Sequence, residues 1–186
     1  MQFQLHNQET APETSKPLLA NSLKAFGMIP NLHAVMAESP AVLESYQVLH
    51  EQFQKTSFNA DELTVVWQTI NVEHECHYCV PAHTGIANMM NVDANITEAL
   101  RNGTELPSKK LQVLHETTLA MVRERGNLSE VVLSSFSEAG YEQRHLLEII
   151  LGLSQKIMSN YINHLANTPI DKAFEEFSWQ REIVSS

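Results

Sequence analysis

The sequence predicts one all-α domain, a single-domain helical bundle that assembles into oligomers. Three observations carry that reading. Apolar residues recur at helical spacing in stretch after stretch, and capping residues and glycines bound those stretches. No run alternates apolar and polar residues between turn signals, so no strand is expected. The chain has 186 residues, 43% of them apolar, enough for one core that needs no covalent staples.

Residues 1–14 are polar, contain Pro12 and lack periodicity, and read as a flexible N-terminal arm before a domain spanning 15–186. Ser15 is placed to cap a helix from Lys16 to Phe26, and Gly27 ends it. GMIPNL follows as an ordered loop around Pro30. Ser39-Pro40 starts the next helix, with Val42, Leu43, Tyr46, Leu49 and Phe53 on one face. Asn59 and Glu62 have capping-box spacing and open a helix whose buried face holds Leu63, Val66 and Ile70. Ile96 to Asn102 is a short helix closed by Gly103. Ser108 caps Lys109 to Arg125, and Ser129 caps a helix that stops at Gly140. Glu142 to Leu165 is long and apolar nearly all round at LLEIILGL, which predicts the central or an oligomer-facing helix. Thr168-Pro169 breaks it, and the tail from Asp171 is expected to lie on the surface. The apolar faces at 40–55 and on the long helix exceed what one bundle needs, which points to a homo-oligomer.

Acidic residues outnumber basic ones by 22 to 12, for a formal charge of -10. That charge disfavours nucleic acid and anionic membrane surfaces as partners. The first residues show no basic start followed by an apolar run, so a cytoplasmic location is expected. In a reducing compartment, the two cysteines point to redox chemistry, catalysis or metal rather than to a structural staple.

The string from Glu73 to His83, EHECHYCVPAH, carries the chemistry. Cys76, Cys79 and His83 are spaced three and four apart, which puts them on one face of a helix. Pro81 is tolerated only in a first turn, so that helix should start near Cys76 to Tyr78. Both thiols then sit where unpaired N–H groups favour an anion, which lowers a thiol pKa and prepares a nucleophile. His83 can accept the proton of Cys79, and Glu73 or Glu62 can orient His83 or pass the proton on. A thiolate that attacks a peroxide becomes a sulfenic acid, and the second thiol condenses with it to a disulfide. A dithiol then restores the pair.

CHYCVPAH resembles the C-x-x-C-x-x-x-H motif of the alkylhydroperoxidase AhpD-like family, within the carboxymuconolactone decarboxylase superfamily. FGMIPNLHAVMAESPAVLESYQVLHEQF and GYEQRHLLEIILGLSQKIMSNYINHLANTPID are similar to the segments on either side, so the resemblance covers most of 22–176. It implies an all-α trimer or hexamer with peroxidase or disulfide-reductase activity. It implies Cys79 as the thiol that is oxidised, Cys76 as proton donor and resolving thiol, and His83 in a relay with a glutamate. It requires no metal or organic cofactor, and it points to a lipoyl or thioredoxin-like protein as dithiol reductant. The chain departs from the pattern twice. Thr64 stands where the relay glutamate is usual, which leaves Glu62, two residues away, or Glu73. Tyr78 stands where some members carry histidine, and the histidine is His77. A second reading is a non-catalytic zinc-binding or redox-sensing module, with Cys76, Cys79, His83 and one of His74, His77 or Glu73 as ligands.

Overall fold

The computed structural model describes residues 2–181; the part of the expected domain at 182–186 lies outside them. Among the described residues there are nine α-helices, one 3-10 helix and no strand. The helices are α1 (Lys16–Phe26), α2 (Asn31–Met36), α3 (Pro40–Gln54), α4 (Ala60–Glu73), α5 (Cys79–Met89), α6 (Ala94–Asn102), α7 (Lys109–Arg123), α8 (Glu130–Glu138) and α9 (Gln143–Ala166). The 3-10 segment Lys172–Phe177 follows. No described helix is long and apolar enough to cross a membrane.

Local chemistry sets most boundaries. Asn59 and Glu62 close the predicted capping box, each side chain bonded to the other's backbone N–H at 3.0 Å. Ser108 and Ser129 accept from the backbone N–H of Leu111 and Val132, as expected of caps. Ser15 and Ser39 make no side-chain cap bond; the Ser15 hydroxyl donates instead to Ala37 O at 2.6 Å. The expected loop around Pro30 gives way to α2 directly after the proline. The Asp171 carboxylate, 140 residues on, accepts from the Asn31 N–H at 2.9 Å and caps the helix through tertiary structure.

The central helix is α4, so of the two expectations for the long C-terminal helix, central or oligomer-facing, the first does not hold. Every residue from Glu62 to Asn71 is buried, with α5, α6, α7 and α9 packed around it. Its polar residues hid this: Thr69 bonds His115, and Gln68 and Asn71 bond each other and α5. α9 buries one face against α3 and α4 and exposes Leu147, Ile150, Tyr161 and Leu165. At Gly152 it meets α3, where a Cβ would lie 2.7 Å from the Phe53 ring.

Both termini dock. The N-terminal arm, expected to be flexible, is anchored because His6 is buried: its N–H donates to Ala34 O at 3.1 Å, and its ring bonds Thr10 O and Glu38. The C-terminal segment lies along α5, where the Phe174 ring occupies the space that a Cβ on Gly85 would need.

Two histidines on this scaffold resist protonation, His33 buried and His50 half-buried. Burial, with His50 nearby, holds His33 at about 4 against an ordinary 6.5, and burial beside Lys156 does the same to His50. The unfolded chain binds these protons near pH 6.5 and the folded chain only near pH 4. Folding stability therefore falls as pH drops through that window. His33 alone contributes a loss on the order of 3 kcal/mol by pH 4. Urea unfolding between pH 7 and 4 checks this, and His33→Gln should show a pH dependence flattened by about that amount.

Candidate active site

α4 ends at Glu73, and the chain reverses through Glu75, which adopts a left-handed φ of 52°. The Cys76 N–H reaches back to Asn71 O at 3.0 Å and closes the turn. α5 starts at Cys79, one residue past the expected range, with Pro81 in its first turn, where an N–H has no helical partner. The Cys76 sulfur accepts from the Cys79 N–H at 3.3 Å and takes the place of a helix cap.

A chain of amides fixes this start. The Asn160 side chain donates to Asn71, Asn71 donates to Gln68 and to Cys79 O, and Gln68 donates to Val80 O and Thr84. Tyr78 fixes the other side. Its hydroxyl accepts from the Leu32 N–H at 3.2 Å and donates to Asp171, tying α2 and the C-terminal segment to the motif. The two thiols are free, and both are buried, at 0% and 1% exposure.

α9 supplies the other wall. Lys156, Asn160 and Asn163 recur at one-turn spacing, fully buried, and face the motif. The Lys156 Nζ lies 2.9 Å from His83 Nε2. The Asn163 amide donates to that sulfur at 3.2 Å. The Trp67 ring lies 4.8 Å from the His83 ring and donates its N–H to Gln155 at 2.7 Å.

These contacts divide the thiols. Burial pushes Cys79 up, but the Cys76 thiol donating to it, the Lys156 charge and the amides of Asn163 and Asn160 bring it down to about 5 from 9.0. Cys76 moves the other way, because its S–H is held by Cys79, it is buried and the thiolate faces it. Burial and the adjacent Lys156 keep His83 neutral. Burial lowers Lys156, and the Cys79 charge opposes that shift. With Lys156 an ammonium, His83 Nε2 accepts, and the ring proton resides on Nδ1, which has no partner among the described residues.

The structure thus gathers Cys76, Cys79 and His83 but leaves both candidate glutamates out. Glu73 is held by Arg123 in a bidentate pair at 2.7 and 2.9 Å. Glu62 is spent on the cap, Tyr141 and Lys110. The neighbour of His83 is a cation, so the expected histidine–carboxylate relay is not built. Nor do the proposed zinc ligands meet. His74 bonds Asn160, His77 bonds Thr168 O, and among the described residues no three His, Cys, Asp or Glu side chains form a ligand group. Sequence reasoning missed Lys156, Asn160 and Asn163. Their signal was a polar row at i, i+4 and i+7 along one face of the helix.

The helical bundle has the AhpD-like fold. The chain is similar to a peroxidase-related protein of Ralstonia eutropha JMP134, described as an alkylhydroperoxidase AhpD core, with a TM-score of 0.83 at 14% identity over 93% of each chain. It is similar to a peroxidase-related protein of Silicibacter sp. TM1040, with a TM-score of 0.78 at 14% identity over 94% of this chain and 92% of that one. A variant of the debrominase Bmp8 in complex with 2,3,4-tribromopyrrole gives a TM-score of 0.76 at 14% identity over 94% and 93%. No family model and no curated protein sequence matches the chain. At this identity, the likeness establishes the shared fold.

The geometry predicts that Glu73→Gln and Glu62→Gln leave the rate and pH dependence of Cys79 alkylation within about twofold of wild type. Glu73→Gln should cost no more than about 1 kcal/mol in urea unfolding, as a partly exposed ion pair does.

Proposed function

We propose that this protein is a cysteine-based peroxidase, a dithiol–disulfide oxidoreductase that reduces hydroperoxides through Cys79 and Cys76. The observation that carries this reading is the asymmetry of the pair. Cys79 is brought to about 5, so it is a thiolate at neutral pH, while the neighbouring Cys76 is pushed up and keeps its proton. One thiol is a prepared nucleophile. The other is a proton-bearing thiol placed to resolve what the first becomes.

The thiolate attacks the O–O bond and becomes a sulfenic acid. Cys76 then condenses with it, releasing water and forming the disulfide. A dithiol of the lipoyl or thioredoxin-like kind supplies two electrons and resets the pair. The buried Asn163 Oδ1 has no partner among the described residues, which makes it an acceptor for the O–H of a hydroperoxide at the sulfur. We further propose a homo-oligomer, trimeric or hexameric. The exposed row Leu147, Ile150, Tyr161 and Leu165 on α9 supports it.

Peptide mass mapping before and after a small excess of alkyl hydroperoxide tests the chemistry. The peptide holding Cys76 and Cys79 should lose two hydrogens and regain them with a dithiol. Cys79→Ser should abolish hydroperoxide consumption. Cys76→Ser should consume about one equivalent per chain and stop as a sulfenic acid that dimedone traps. Sustained turnover by Cys76→Ser at the wild-type rate would remove the resolving role.

A further inference from the structure

Lys156 lies in the middle of α9 with no exposed surface. An enclosed ammonium costs several kcal/mol unless negative charge and hydrogen bonds offset it. Among the described residues no carboxylate bonds Lys156 or His83, and the acidic groups that act on Lys156 are the Cys79 and Cys76 thiols. The titratable groups around this centre are Cys76 and Tyr78 before α5, Cys79 and His83 on α5, Tyr46 and His50 on α3, and His74 after α4, which bonds Asn160. From α4 come neutral side chains, Trp67 against His83 and Gln68. On α9 itself, Asn160 and Asn163 are amides. Lys156 is thus the basic side chain of the cluster, bonded to the His83 imidazole and two turns from Asn163, whose amide on the same face of α9 bonds the Cys79 sulfur.

Resting on the peroxidase reading above, we infer that Lys156 is a catalytic residue: it is the counter-ion of the Cys79 thiolate and the proton donor to the oxygen that leaves, with His83 holding its ammonium in place. It does the work that a histidine–carboxylate relay would otherwise do, with the opposite charge. In the first step the Cys79 sulfur attacks the terminal oxygen of an organic hydroperoxide. An S–O bond forms, the O–O bond breaks, and two electrons pass from sulfur to the departing oxygen. Lys156 protonates that oxygen, so the alcohol leaves, the sulfenic acid remains and Lys156 becomes a neutral amine.

In the second step the Cys76 thiol passes its proton to Lys156 and attacks the Cys79 sulfur. The departing hydroxide takes the proton from Lys156 and leaves as water, and the disulfide faces a neutral amine. A dithiol then returns two electrons and two protons, one to the Cys76 thiol and one to the Lys156 ammonium, and Cys79 is again a thiolate. Lys156 is charged only while the thiolate is present to match it.

The test uses the full chain and Lys156→Met, which keeps the length of the side chain and removes the charge. Two quantities are read at Cys79: the pH midpoint of iodoacetamide alkylation, and the ratio of hydroperoxide oxidation to alkylation at pH 7. Both reactions consume the thiolate, so the ratio cancels its fraction, and it reads proton donation because iodide leaves without a proton and an alkoxide does not. In Lys156→Met the midpoint should rise from about 5 to above the neutral range, and the ratio should fall about 100-fold, as for loss of a general acid. A midpoint and ratio that overlay the wild type overturn the inference.

If the variant does not fold, carbon-labelled lysine in the wild type gives the same decision. One lysine side-chain resonance should pass from ammonium to amine at pH 7 when the thiols are oxidised to the disulfide, and no change overturns the inference. Wild type that never forms the disulfide overturns the peroxidase reading and this inference with it. An intact wild-type cycle with an unaltered Lys156→Met profile overturns this inference alone.

Discussion

A lysine enclosed in a helical bundle must meet negative charge or give up its proton, and much of the site follows from how this protein meets that demand. Lys156 bonds His83, its charge acts on Cys79, and the Asn163 amide donates to the Cys79 sulfur. Each group changes what the others can be. The cation favours the thiolate, the thiolate keeps Cys76 protonated, and the cation keeps His83 neutral. In an apolar interior such mutual effects are strong, because little water screens them.

This arrangement needs the start of α5 and the middle of α9 held in fixed register, and the fold supplies that with neutral polar groups. The amides of Gln68, Asn71 and Asn160 link α4, α9 and the first turn of α5. Tyr78 and Asp171 bind the motif to α2 and the C-terminal segment. Buried amides carry no net charge, so they position the sulfur without competing with Lys156 for it. The docked termini serve the same end, since Phe174 packs against Gly85 one turn beyond Pro81.

Local chemistry in the sequence explains the parts of the fold that could be read early. Caps at Asn59, Ser108 and Ser129 bond as their spacing implies, and Gly27 and Gly103 end their helices in left-handed turns. Where a partner came from far along the chain, local reading failed. The cap of α2 is Asp171, and the Ser15 hydroxyl serves Ala37 O rather than its own helix. His6 looked like part of a loose polar arm because its bonds to Ala34 and Glu38 form only once α2 is in place.

The sequence by itself determined the all-α class, most helix boundaries, and the motif in which Cys76, Cys79 and His83 share a helix start, because these depend on contacts within a turn or two of chain. Only the tertiary structure decided what those residues face. Glu73 and Glu62, near the motif in sequence, turn to Arg123 and to Lys110 and Tyr141, while Lys156, more than 70 residues from His83, becomes its neighbour. Charge acts through space, and which charges share a low-dielectric interior is set by how α9 packs across α4 and α5.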